Sequence, residues 1–375
     1  MTRVLPLLLV ALPTLADPLS PVDTFPYALG TQSIGPAYQF TDQPKLLESA
    51  VAVRELGSNV FKFALRPEYF GPRGNVADKH PTVRTLIDLA RDEPTHRRVL
   101  DAGFAHTLVW AYALTPKPWG ETFAEADADK EYREIYALAV HLLRTYSGTG
   151  RAFYLGNWEG DWGLLGHYDA GRDPSPGRIA SMTAWLKARQ RAVDDARRDT
   201  PHRAVTLYHY VEVNLVAKAM AGKPTVTNSV LPGVPVDFVS YSAYDSLQKH
   251  VAADLPKALD YVESKLSPKP GLRGRRAFVG EYGFPAARFT PAQQDAKSRE
   301  VMIAALTWGC PFVLYWQLYD NEVSPEGVHK GFWLIDDKGV KQPVYETHRA
   351  YYAWARQHVA DHVARHGVAP AGDAF

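Results

Sequence analysis

Short apolar runs recur along the chain, each followed by a longer stretch in which apolar residues return every three or four positions. A short run of Val, Phe, Tyr and Leu without a polar face is the pattern of a parallel strand covered on both sides, and the longer period is that of an amphipathic helix. The runs predict strands at residues 27–34, 59–65, 106–113, 153–157, 204–211, 236–241, 276–281 and 311–318. Helices are predicted between and after them at 45–56, 83–92 with 97–102, 130–146, 178–198, 254–266, 291–308 and 344–365. The fifth is short, around 215–221, where Gly222-Lys223-Pro224 breaks it. Eight βα units in 375 residues predict an α/β protein with a single (β/α)8 TIM barrel. An open nucleotide-binding sheet is disfavoured because no Gly-rich dinucleotide fingerprint follows the first strand. The barrel is expected to occupy 17–366, with 367–375 as a frayed tail.

A barrel of this kind collects its chemistry at the carboxyl ends of its strands, so what each strand ends in matters most. Two ends carry a lone acid after an apolar run: Phe153-Tyr154-Leu155-Gly156-Asn157-Trp158-Glu159 and Ala277-Phe278-Val279-Gly280-Glu281. A carboxylate buried without a partner is strongly disfavoured, so each acid requires a partner or a task. The other ends offer Arg66, Trp110, Tyr112, His209, Tyr210, Tyr241, Tyr244 and Trp316. Each has a plain structural alternative. Glu281 could pair with Arg66, Arg66 could serve a loop ion pair, Glu159 could start a helix, His209 could be a satisfied core histidine and Trp316 could simply pack.

Taken in order, Arg after the second strand, Asn and Glu after the fourth, His or Tyr on the fifth, Tyr on the sixth, Glu on the seventh and Trp on the eighth resembles clan A of the glycoside hydrolases. The segment Gly331-Phe332-Trp333-Leu334-Ile335-Asp336-Asp337-Lys338-Gly339, with Lys341-Gln342-Pro343-Val344-Tyr345 after it, is similar to the last loop and closing helix of such enzymes. The resemblance implies a retaining glycosidase acting on β-linked sugars, with Glu281 as nucleophile and Glu159 as acid/base. It further implies that Asn157 holds the sugar 2-hydroxyl, that Arg66 and a tyrosine of the sixth strand keep Glu281 ionised, and that Trp316 forms the floor. This chain departs from the pattern in one respect: Trp158 separates Asn157 from Glu159. If the strand continues, its period of two places Asn157, Glu159 and Asp161 on one face and Trp158 and Trp162 on the other. Asp161 then competes for the acid role, unless a bulge restores the usual arrangement.

Aromatic residues in the expected loops, Tyr69, Phe70, Trp119, Trp162, Tyr168 and Trp333, are expected to shape sugar subsites, and 163–177 to close part of a cleft. Two other enzyme classes lack their signatures: there is no His-Glu-x-x-His helix for a catalytic metal and no Gly-x-Ser-x-Gly for a serine nucleophile. A barrel that binds sugars without cleaving them remains the main alternative. With 42 basic and 41 acidic residues the net charge is +1, which gives no electrostatic attraction to nucleic acid. Residues 1–16 have the charged, apolar and small-residue regions of an export signal, and no later run approaches the roughly 20 apolar residues of a membrane span. The expectation is a secreted monomer with no cofactor, no membrane anchor and an oligosaccharide or polysaccharide as partner. The single cysteine, Cys310, excludes a disulfide within the chain.

Overall fold

The computed structural model describes residues 19–67 and 82–370. Eight strands form: β1 (Leu29–Ser33), β2 (Val60–Leu65), β3 (His106–Ala111), β4 (Arg151–Gly156), β5 (Val205–Val213), β6 (Phe238–Ser242), β7 (Ala277–Tyr282) and β8 (Val313–Tyr315). They pair in parallel in chain order and β8 closes on β1, giving the predicted (β/α)8 barrel. The main helices around it are Lys45–Leu56, Glu125–Thr145, Pro176–Asp199, Val251–Ser264, Pro291–Trp308 and Pro343–His366. The second unit has two short helices, Leu86–Arg91 and Pro94–Leu100, and the weak fifth unit has only Val216–Met220. Residues 1–16, Tyr69, Phe70 and the last five of the expected tail lie outside the described residues.

Local chemistry sets the helix limits. The Thr290 hydroxyl accepts the Gln293 N–H while the Gln293 side chain accepts from the Thr290 N–H, and Gly309 at φ 91° ends that helix. Strand alternation then sorts side chains into two cores. Phe61, Phe63, Phe153, Leu155, Leu207, Val211, Val239 and Val279 face the helices. Val60, Ala64, Leu108, Trp110, Tyr154, Tyr210, Phe278 and Leu314 fill the barrel.

Two charges interrupt that inner core. Lys62, between Val60 and Ala64 on the inner face of β2, pairs at 2.6 Å with Glu212 of β5, and both side chains are wholly buried. Lys62 also donates to the Gly280 carbonyl at 3.0 Å, and the Ser240 hydroxyl donates to Glu212 at 2.7 Å. Either charge alone would carry a desolvation penalty of several kcal/mol, so the pair and its hydrogen bonds stand or fall together.

Both acid-bearing strands break the period of two where they end. On β7, Tyr241 pairs with Val279 but the next residue of β6, Ser242, pairs with Glu281, so β7 carries one extra residue there. That residue is Gly280, where a Cβ would lie 1.7 Å from the Ser240 hydroxyl oxygen. The bulge brings Glu281 to the inner side directly after Gly280 and returns Tyr282 to the outer core. On β4 the strand stops at Gly156 and the chain turns into the helix Gly160–Leu165. The predicted extension of the β4 pattern through 161 therefore does not occur. Among the described residues no helix is long and apolar enough to cross a membrane.

Candidate active site

A cavity of about 680 Å³ opens where the strands end, and both Glu281 and Glu159 line it. Arg66, Tyr244, Trp316 and Trp162 share its wall, as do Trp110, Trp158 and Phe332. The aromatic rings form a continuous lining, with Trp110 6.4 Å from both Trp316 and Trp158, and Trp162 5.7 Å from Tyr168. Flat apolar faces with a few polar groups between them are what a sugar ring can use.

Glu281 is 4% exposed. Its Oε1 accepts the Tyr244 hydroxyl at 3.0 Å, and its Oε2 is buried with no hydrogen-bond partner among the described residues. Burial pushes its carboxyl well above the usual range, the Glu159 charge adds to this, and Lys62 and the Tyr244 hydroxyl oppose it. Glu159 stands immediately before the helix Gly160–Leu165, its backbone N–H donating to Glu212 at 3.0 Å. Burial, and then the Glu212 charge, lift its carboxyl to about 8, against the opposing Trp162 side chain and Lys62. Both desolvated carboxyls thus stand above the usual carboxylate range, and the charge of Glu159 is one cause of the rise at Glu281. The network of Lys62, Glu212 and Ser240 touches both: through the Glu159 N–H on one side and, on the other, through the carbonyl of Gly280 next to Glu281.

The remaining sequence candidates divide by strand parity and by local turns. Asp161 is wholly buried and does not line the cavity. Its carboxylate accepts the backbone N–H groups of Asn214 (2.9 Å), Leu215 (3.1 Å) and Val226 (2.8 Å), which ties the β4 turn to the segment after β5. Both of its oxygens are thus engaged with backbone N–H groups. Arg66 lines the cavity, its guanidinium 4.7 Å above the Tyr112 ring, and Lys62 is a cation that lowers the Glu281 carboxyl against its burial. Tyr112 in turn accepts the Trp158 N–H at 2.8 Å, so this stack braces the β4 turn.

His209 faces outward. Its Nδ1 meets the Gln190 amide oxygen at 3.1 Å and its Nε2 accepts from Arg189 at 3.3 Å, and burial, reinforced by Arg189, holds it far below the usual imidazole range. Arg189 also pairs with Glu131 at 2.6 Å and donates to the Gly156 carbonyl at 3.0 Å, so this cluster anchors the end of β4 from behind. Tyr241 also faces outward, its hydroxyl engaged with Asp245 and Ser246. Tyr244, in the turn after β6, is the tyrosine that reaches Glu281. Asn157 is buried but does not line the cavity; its amide donates to the Trp158 carbonyl at 3.1 Å and its Oδ1 has no hydrogen-bond partner among the described residues. Trp333 lies outside the cavity beside His329, and its neighbour Phe332 takes the place expected for it. Trp119 packs on Trp185 at 5.8 Å, away from the cavity. Among the described residues no group of His, Cys, Asp or Glu is arranged to hold a metal ion.

No family model and no curated protein matches the chain. Solved structures do match it. A GH5_18 protein from Streptomyces cattleya, in complex with Manb1-4GlcNAc, is 13% identical with a TM-score of 0.56, over 88% of this chain and 80% of that one. A GH5_18 protein from Bifidobacterium longum subsp. infantis is 16% identical with a TM-score of 0.51, over 88% and 78%. An exo-beta-1,4-mannosidase from Opitutaceae bacterium strain TAV5 is 12% identical with a TM-score of 0.56, over 88% and 60%. At this identity the likeness is one of fold alone, the (β/α)8 barrel.

Proposed function

We propose that this protein is a retaining glycoside hydrolase of β-linked sugars, exported on the strength of its N-terminal pattern, in which Glu281 attacks and Glu159 transfers the proton. One observation carries the reading. Two acids from opposite sides of the barrel share one aromatic cavity, and one buried oxygen of Glu281 is left without a hydrogen-bond partner among the described residues. A buried polar atom left unsatisfied requires an explanation, and a reaction partner at the anomeric carbon supplies one.

In the first step a Glu281 oxygen forms a bond to the anomeric carbon while the glycosidic C–O bond breaks, and Glu159 gives its proton to the departing oxygen. In the second, Glu159, now charged, takes a proton from water, whose oxygen displaces the Glu281 ester and restores both side chains. The assignment of roles follows the surroundings. Burial raises both carboxyls, but Glu281 has the Tyr244 hydroxyl donor to favour its ionised form, while Glu159 stands by the negative Glu212 and holds its proton to about 8. The fold neighbours make β-mannosides the first substrates to try, on analogy of fold alone.

The test is hydrolysis of a panel of chromogenic β-glycosides and β-glycans by the purified protein, with Glu281→Ala as control. Release of sugar by wild type and none by the variant supports the reading. Unchanged sugar affinity in Glu281→Gln, with no release of product by wild type from any member, identifies a binding barrel instead.

A further inference from the structure

A second cavity, of about 480 Å³, adjoins the first and shares Tyr244, Lys330 and Phe332 with it. Its size is within the roughly 300–1,000 Å³ usual for small-ligand pockets. The segments after β6 and β7 build the rest of its wall, so it lies on the Glu281 side of the site. Arg288, Lys297 and Lys330 line it, and among the described residues no Asp or Glu does. The chain as a whole has 42 basic and 41 acidic residues, so this one-sided lining does not reflect its average composition.

Nor are these charges consumed by the fold. Lys297 lies over the rings of Phe284 and Phe289, 5.6 and 5.4 Å from their centres, contacts that hold a cation without neutralising it. Among the described residues neither Arg288 nor Lys297 makes an ion pair. Lys330 is paired with Glu322, which lines the first cavity, so it marks the border between the two. Ammonium and guanidinium groups only donate, whereas a neutral sugar presents hydroxyls that both donate and accept. What Arg288 and Lys297, two cations with no ion pair among the described residues, fit on one wall is an anion, and Arg288 can grip a planar or tetrahedral oxyanion with two parallel hydrogen bonds.

We propose that the sugar unit beside the cleaved one carries an anionic group, a uronic acid carboxylate or a sulfate ester, and that this second cavity receives it. The inference rests on the hydrolase reading for which linkage is cut, but its charge preference is measurable separately. Cleavage is compared for oligosaccharides bearing a uronate next to the scissile linkage and for the same compounds after reduction of the carboxyl to a neutral alcohol, with sulfated oligosaccharides as a second arm. Wild type is expected to favour an acidic member over its neutral counterpart in kcat/KM. Arg288→Gln and Lys297→Met should each cut that preference by roughly tenfold, mostly through KM, and added salt should compress it. The uronate and sulfate arms identify which anion is taken. Cleavage of neutral substrates with no acidic preference in either arm, or a preference that neither variant alters, overturns the proposal and leaves the hydrolase reading intact. Calorimetric binding of acidic oligosaccharides that depends on Arg288, in a protein that cleaves none of them, does the reverse.

Discussion

The ends of β4 and β7 deliver the same kind of side chain to the same cavity by different backbones. On β7 the strand continues through Glu281 and a bulge at Gly280 turns that side chain inward. On β4 the strand is over by Gly156, and Glu159 arrives from a turn into a helix that Tyr112, Asp161 and Arg189 brace from three directions. One acid is therefore fixed by the sheet itself, the other by side chains around a turn. The surroundings differ accordingly: Glu281 accepts the Tyr244 hydroxyl, while the Glu159 backbone N–H meets the carboxylate of Glu212, and Lys62 opposes the rise of both carboxyls. Unlike environments around like groups are what separates an attacking carboxylate from a proton carrier.

The sharpest way to break this comparison is to remove each carboxylate. Glu281→Ala should lower turnover by about four orders of magnitude or more on every substrate, and azide or formate should restore part of it with a product of opposite anomeric configuration. Glu159→Ala should lose roughly 10²–10⁴-fold on poor leaving groups and little in the first step on activated aryl glycosides, which depart without a proton. With azide it should give a product of the starting configuration. The same rescue product from both variants would mean that the two strand ends do not differ in role.

Next in size are effects on stability. Asp161→Asn should cost about 1–3 kcal/mol, because three buried N–H groups lose carboxylate acceptance, and should show no dependence on leaving group. A leaving-group dependence in Asp161→Asn, with Glu159→Ala near normal, would transfer the acid role. Glu159→Gln should act oppositely. The folded protein keeps the Glu159 proton up to about 8, whereas the unfolded chain releases it near 4.5, so between those values folding stability falls as pH rises. Replacing the acid by a neutral amide removes that loss. The variant should match wild type near pH 4 and exceed it by about 4 kcal/mol at pH 8, read from denaturant titrations. In wild type the same proton sets the alkaline limb, so kcat/KM should decline above about pH 8. The smallest effect separates two tryptophans. Trp162→Ala should raise KM several-fold with kcat nearly unchanged, and Trp333→Ala, outside the cavity, should change KM less.

How much of this was legible in the sequence depended on whether the strand period held. The eight units were readable because each buried strand is a short apolar run between helical patterns, and Glu281 and Glu159 stood out as lone acids after such runs. Arg66, Tyr244, Trp316 and Trp162 were found as cavity residues. His209 and Tyr241 were misplaced because the inner face of β5 runs Tyr208, Tyr210, Glu212 and that of β6 runs Phe238, Ser240, Ser242, so both candidates fall on the outer face. Parity counted from Glu212 along β5 would have shown this for His209. Lys62 and Glu212 are each a charge within an apolar strand, and that signal alone required a buried partner for each. The turn after Gly156 gave no such sign, because nothing in Asn157-Trp158-Glu159-Gly160 forbids a longer strand, and its braces come from residues distant in sequence.

The account stands on Glu281 forming a covalent bond to the sugar while Glu159 carries the proton. Proton NMR of the first sugar released by the wild-type protein, recorded before mutarotation, tests this most directly. A product with the anomeric configuration of the substrate is the predicted result. A product of inverted configuration would mean that water attacks directly, and would leave Glu281 without the role assigned to it.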